Sequence, residues 1–445
     1  MRPAKIVPCI LSIFGVCASA QPASSQTRET PAKSKPIVLA ASAVFDGKGN
    51  VLHDTRIVIE ESKIVAIDPK AGPVDYDLRG LTVLPGWIDA HVHLNWFFGK
   101  DGKLAQVNFE SLPESPRGGN AAGAGATREE AAHAAASNAW VMLMAGFTTV
   151  QSVGSPNDIP LRDAIASGFL PGPRILTSNE PLSGQGEKTG TPEEIRAFVR
   201  KQKAAGADLI KIFAAGGMRS GPPTLSQEQL DAACDEAKKQ GLRTLVHAFR
   251  DAVRMTVLAG CTEVEHGLGA TDDDLRLMAE RGTYFDPQAG LIIENYLLNR
   301  EKYAGTPFFP ATPEGFEPMK ELLPMLHDVI QRARKIPGLK LVFGTDAVAG
   351  LHGRNAEEFI DRVRDGGVDP KAAMISANSL GAKAMGMADR IGSIAPGLQA
   401  DIIALDGDPL KDITSVRRVV FVMKGGIVYK NAARGAIPAY AGIQP

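Results

Sequence analysis

No excess of either charge marks this chain. Its 49 basic residues almost balance its 50 acidic ones over 445 positions, for a net charge of −1. That excludes the basic footprint of a nucleic-acid binder and the acidic block of a charged tail. Cysteine is scarce, at four residues, and Cys9 and Cys17 lie in the first twenty positions. The other two, Cys234 and Cys261, are too few for a disulfide framework, so the core must support itself even in an oxidising compartment. Both are expected as buried small apolar side chains. No repeat of 20–50 residues marks a solenoid. With 44% hydrophobic and 22% charged residues, the composition is that of a globular protein and excludes disorder, collagen and a polytopic membrane protein.

The amino terminus reads as a targeting segment. Arg2 and Lys5 supply a short positive region, and Ile6 to Val16 is apolar but too short to span a bilayer. Ala18-Ser19-Ala20 is a small-x-small cleavage signal, so residues 1–20 are expected to be removed, leaving Gln21 first. The mature protein is then expected in the periplasm or outside the cell, with no membrane insertion. Residues 21–36, rich in Ser, Pro, Ala, Lys and Thr, read as a linker.

Residues 37–85 read as β. Arg56–Glu60 and Lys63–Ile67 flank a polar Glu61-Ser62 turn, a hairpin signal. A second β-rich zone spans 389–433, where Ala400–Leu405 and Val419–Met423 are strand-like and Lys424-Gly425-Gly426 turns into Ile427-Val428-Tyr429. Neither zone is long enough for a core of its own, so the two ends are expected to pair into one small β-sandwich domain. A tail follows from 434 to 445.

Between them, over 86–388, strands alternate with helices. Eight short apolar runs qualify: Trp87–Ala90, Thr148–Val150, Arg174–Leu176, Asp208–Phe213, Arg243–His247, Glu263–His266, Thr283–Phe285 and Lys340–Gly344. Capping signals open intervening helices at Thr191 with Glu194, after Ser226, and at Thr271 with Asp274. Eight βα units predict an α/β fold, a (β/α)8 TIM barrel. The Gly/Pro/Ala-rich stretch near 110–127 is expected to be a long loop.

In such a barrel the chemistry collects where strands end. His91 and His93 follow the first strand, and their i, i+2 spacing puts both imidazoles on one face of an extended segment. Lys211 lies in the fourth strand, and His247, His266 and Asp346 close the fifth, sixth and eighth. Each taken singly has a plainer explanation: a hydrogen-bonded structural histidine, a loop-capping aspartate, a snorkelling lysine. Six such residues on five strands point together to a metal site, and imidazole with carboxylate suits Zn²⁺, with Mn²⁺, Co²⁺ or Ni²⁺ as alternatives.

The segment Pro85-Gly86-Trp87-Ile88-Asp89-Ala90-His91-Val92-His93 resembles the signature of the metal-dependent amidohydrolase superfamily. Gly392 to Asp401 resembles that family's return into its β-sandwich. Ile210-Lys211-Ile212 with Gly216-Gly217, Glu265-His266-Gly267 and Gly344-Thr345-Asp346 resemble its imidazolonepropionase-like branch, which includes Xaa-Pro and Xaa-Arg/Lys dipeptidases and ochratoxinase-like carboxypeptidases. The resemblance covers about residues 37–432. It implies two divalent ions: His91, His93 and Asp346 on one, His247 and His266 on the other, and Lys211 as N6-carboxylysine, formed with CO₂, between them. It also implies Asp346 as the catalytic general base, taking a proton from water activated between the ions and passing it to the leaving nitrogen. A deaminase is disfavoured, because Ala248-Phe249-Arg250 follows His247 where deaminases carry a nearby glutamate.

Two positions depart from the family pattern. Gln151-Ser152 stands where many relatives have Arg-Asp. Pro181 to Lys188 holds no histidine to contact the substrate carbonyl, which leaves that contact to the metal alone, or to His133 or His352. Arg219 and Arg250 are candidates for clamping a substrate carboxylate, with Tyr296 as a wall or hydrogen-bonding group and His352 as a further contact or a loop tie. The substrate expected is a dipeptide or N-acyl amino acid with a free carboxylate. A cyclic amide is the alternative, and a non-catalytic binding protein of the same fold the third reading. By resemblance the chain is expected to form a homo-oligomer.

Overall fold

The computed structural model describes residues 35–105, 126–184, 186–218, 221–306 and 308–432. The expected signal segment, nearly all of the linker, the tail and almost all of the 110–127 loop lie outside these residues. So does Arg219.

The two chain ends form one eight-stranded sheet. Five strands come from residues 37–85 and three from 402–431, and they join where Ile402 to Leu405 pair antiparallel with Pro85 to Thr82. The Ile37–Phe45 strand pairs on both of its edges, and Val38 to Ala41 are buried without a break, so both of its faces are covered there and the run is apolar rather than alternating. Val51–Glu60, nearer the edge, alternates: Ile57 and Ile59 are buried while Arg56 and Val58 are half-buried. The hairpin to Lys63–Ile67 turns at Glu61, which takes φ 52°. Leu39, Ile57, Val83, Ile402, Phe421 and Met423 form the core of this region, with no charged side chain among them.

The eight barrel strands are Trp87–Val92, Phe147–Ser152, Arg174–Thr177, Leu209–Phe213, Arg243–Ala248, Glu263–His266, Tyr284–Asp286 and Lys340–Leu341. The first three and the last five each form a parallel ladder. Backbone bonds and one parallel bridge cross each of the two seams, Leu182 with Ile212 at one and Val92 with Ala347 at the other. Thr177 O accepts from Asp208 N at 2.8 Å, and Phe343 O accepts from Ala90 N at 2.9 Å. Full capping boxes open the helices at Thr127, Thr191, Ser226 and Thr271, each cap contributing about 1 kcal/mol. Trp87, fully buried, packs on Phe147 and Phe359 at 5.5 and 5.1 Å where the barrel meets the sheet.

Two expectations need correction. The eighth strand is shorter than its apolar run: the next ladder donor to Val342 O would be Pro287, which has no N–H, and Arg362 donates to the carbonyls of Val342 and Gly344 instead. Cys234 and Cys261 are not independent apolar fillers; they are disulfide-bonded, with Cα atoms 5.1 Å apart. Adjacent parallel strands bring the Gln227–Lys239 helix beside the turn that enters the sixth strand, a proximity no local pattern encodes.

Candidate metal centre

The candidate residues meet at the C-terminal ends of the barrel strands. The backbone there is unusual. Among the described non-glycine residues, Asn179, Arg250, His266, Gln288 and Asp346 take φ of 56°, 51°, 66°, 45° and 53°. They stand at or just beyond the ends of the third, fifth, sixth, seventh and eighth strands. Left-handed conformations cost a non-glycine residue roughly 1 kcal/mol or more and persist where surroundings over-determine them. At His266 the consequence is direct: the residue leaves the strand's alternation, so Glu265 and His266, neighbours in sequence, are both buried in the site.

His93 Nε2 lies 2.9 Å and His91 Nε2 3.4 Å from Asp346 Oδ1. One ligand atom from each of these three residues falls within 4.8 Å of the others. Lys211 Nζ, on a side chain only 1% exposed, is 3.2 Å from His91 Nε2. The His247 and His266 rings are 4.6 Å apart, and His91 and His266 are 5.5 Å apart. All six predicted ligands therefore converge on one volume.

The protonation states suit cation binding. Burial, reinforced by Lys211 and neighbouring histidines, holds His91 and His247 well below the usual imidazole range, and burial likewise lowers His266. Burial also lowers Lys211, favouring the neutral amine. Burial pushes Asp346 up, but His91, His93 and His266 outweigh it and hold the carboxyl below its ordinary range. Neutral imidazole and ionised carboxylate are the ligating forms. His266 Nε2 is buried with no hydrogen-bond partner among the described residues, a lone pair a cation would satisfy. The donor set thus fits divalent ions.

Beneath the ligands lies a buried polar layer that the sequence reading missed. Glu265 Oε2 lies 2.7 Å from His91 Nδ1, and burial together with Asp286 and Glu263 raises the Glu265 carboxyl well above its ordinary range. Gln288 Nε2 donates to Glu265 Oε2 at 3.1 Å and to Asp286 Oδ2 at 2.7 Å, while its Oε1 accepts from His266 Nδ1. Arg362 pairs with Asp286 at 2.5 Å and with Glu358 at 2.9 Å. Asp89 accepts from Thr345 Oγ1 at 2.7 Å and Asn355 Nδ2 at 2.8 Å, tying the first strand to the Asp346 loop, and burial raises its pKa to about 7. Gly344 admits this layer, since a Cβ there would overlap Asp286 Oδ2 and press on His91. The one local signal was Glu265 beside His266; Gln288 and Arg362 carry none.

The remaining candidates divide. Arg250 is exposed beyond the fifth strand. Tyr296 is buried, its ring 5.0 Å from Phe309 and 5.1 Å from Tyr303, and burial together with Asp346 raises its phenol. His352 Nε2 bonds the carbonyl of His93 at 3.2 Å, which ties that loop. His133 is exposed on a helix. Gln151 spans Ala90 O and Arg243, a structural position.

Residues 82–428 match the family described as Amidohydrolase family. Ochratoxinase of Aspergillus niger is 25% identical over 452 residues, covering 91% of this chain and 88% of that protein. Imidazolonepropionase of Rhodococcus jostii is 25% identical over 387 residues, covering 82% and 84% respectively. A solved Xaa-Pro dipeptidase, with methionine bound in its active site, superposes with a TM-score of 0.76 at 30% identity, over 89% of this chain and 100% of that one.

Proposed function

The chain belongs to the amidohydrolase family, in its imidazolonepropionase-like branch, and from that premise we propose that it cleaves dipeptides or N-acyl amino acids bearing a free C-terminal carboxylate. The family match and the likeness to ochratoxinase and to a Xaa-Pro dipeptidase support hydrolysis of carbon–nitrogen amide bonds. The convergence of His91, His93, Lys211, His247, His266 and Asp346 on one buried volume carries the reading.

His91, His93 and Asp346 would hold one divalent ion and His247 and His266 a second, with Zn²⁺ the first candidate. When bound, such ions polarise the amide carbonyl and lower the pKa of water. Lys211 would complete the site as a carbamate: its neutral amine would add CO₂ and release one proton, giving an anion with two oxygens where an ammonium would repel cations. Asp346, ionised and oriented by His93, takes the proton of the attacking water and returns it to the leaving nitrogen. The substrate carboxylate falls to Arg250 or Arg219, with Tyr296 as a wall. The likeness to imidazolonepropionase favours a cyclic amide as the second reading.

The Cys234–Cys261 disulfide supports a periplasmic or secreted location. No described helix is long and apolar enough to cross a membrane. A homo-oligomer is proposed by analogy with relatives.

The test is mass spectrometry of zinc-loaded protein incubated with pooled dipeptides and N-acyl amino acids. Cleavage restricted by the C-terminal residue is expected. Protein carrying two ions per chain that cleaves only cyclic amides would overturn the substrate class.

A further inference from the structure

We infer that Gln288 is a positioning residue that fixes histidines in both halves of the proposed metal centre through one side-chain amide.

The argument starts from hydrogen-bond bookkeeping. A glutamine amide has one end that only donates and one that only accepts. At Gln288 the Asp286 carboxylate, paired with Arg362, selects one orientation. One end faces two carboxylate oxygens, Asp286 Oδ2 at 2.7 Å and Glu265 Oε2 at 3.1 Å, so it must be the NH₂ group. The other end is then the carbonyl oxygen, and it meets His266 Nδ1. A carbonyl can only accept, so Nδ1 must carry the proton. That leaves Nε2 of His266 with its lone pair, and this is the buried nitrogen that has no partner among the described residues.

The same amide reaches His91 at one remove. Glu265 Oε2, held by Gln288 Nε2, accepts from His91 Nδ1 at 2.7 Å. With Glu265 Oε2 as the acceptor, His91 also carries its proton at Nδ1 and presents Nε2 towards Lys211 and Asp346. His91 and His266 belong to different ion sites in the proposed function, on which this inference rests. Gln288 is the shared anchor of both tautomers.

The anchor is built in rather than incidental. Gln288 is 1% exposed and sits just past the seventh strand. Its φ of 45° is a conformation that a free glutamine disfavours. Arg362, bonded to Asp286 Oδ1 at 2.5 Å, leaves Oδ2 of that carboxylate to Gln288. Hydrogen-bonding partners behind metal-ligating histidines commonly set metal affinity by 10- to 100-fold. Here one residue would exert that effect on two sites together.

The test is Gln288→Met, which keeps length and volume but removes every hydrogen bond. Zinc affinity is measured against a competing chelator, with stoichiometry by elemental analysis and folding by far-ultraviolet circular dichroism. Both sites are expected to weaken by about 10- to 100-fold at unchanged secondary structure. Two ions bound by the variant within twofold of wild-type affinity would overturn the inference while leaving the metal centre standing. Wild-type protein that binds no divalent ion would overturn both. A second measurement does not depend on the variant folding. In full-length, metal-stripped wild-type protein labelled with ¹⁵N at histidine, His91 and His266 are both expected as the Nδ1–H tautomer before any ion is added. Nε2–H at His266 would overturn the inference.

Discussion

The sheet built from the two chain ends and the upper rim of the barrel solve opposite problems. The sheet's core is Leu39, Ile57, Val83, Ile402, Phe421 and their neighbours, all apolar, with the backbone satisfied by its own ladders. The rim buries Asp89, Lys211, Glu265, Asp286, Glu358 and Arg362 close together and holds His266, Gln288 and Asp346 in left-handed backbone. Burial of that kind costs free energy unless every group finds a partner. The contrast separates two uses of buried volume: one region contributes stability, and the other spends part of it on fixed orientation and charge.

If this division holds, substitutions should segregate by region. The largest effect is expected for Asp346→Asn at the rim. Turnover should fall by about 10³-fold, the worth of a general base, while the melting temperature of metal-free protein stays within a few degrees. A variant that binds metal and keeps full activity would remove Asp346 from its role. The mirror experiment is Phe421→Ala in the sheet. Urea unfolding should show a loss of about 3–4 kcal/mol, with turnover per folded molecule unchanged.

A third test lies on the outer side of the barrel, away from both regions. Replacing Cys234 and Cys261 together with alanine opens a loop with a sequence separation of 27 residues. The expected loss is about 3 kcal/mol, with metal content unaffected, and reductant should reproduce it in the wild type.

Asp158 sharpens the comparison through pH. It is buried, accepts from Thr177 Oγ1 at 3.2 Å, and burial raises its pKa to about 7 from an ordinary 3.8. The folded state thus keeps a proton that the unfolded state releases between these values. Its contribution is complete below about pH 4 and is lost as pH rises to about 7. Asp158→Asn should flatten that slope, gaining on the wild type at pH 8 relative to pH 5 in thermal melts. An unchanged slope would show that Asp158 is ionised in the fold. The smallest effect is expected for Arg250→Ala: KM raised about tenfold for a substrate with a free carboxylate and unchanged for its amide.

The parts legible in sequence share a physical property: each is signalled by residues close together in the chain. Capping boxes at Thr191, Ser226 and Thr271 depend on a side chain and an amide three residues apart. The pairing of His91 with His93 depends on strand period. The Glu61-Ser62 and Gly425-Gly426 turns sit where short-range signals placed them. Asp346 is likewise placed by closing the eighth apolar run, but its φ of 53° has no signature in Gly344-Thr345-Asp346.

By itself, then, the amino-acid sequence determined the eight βα units, the joining of the two ends, and which side chains could ligate. Only tertiary structure decided the Cys234–Cys261 bond, the capture of the Val342 and Gly344 carbonyls by Arg362, and the Glu265–Gln288–His266 chain that orients the ligands. Those features join residues that meet only when separate strands and helices pack side by side. Hydrophobic period and capping chemistry act within a few residues, so they carry no information about which distant amide will face which buried carboxylate.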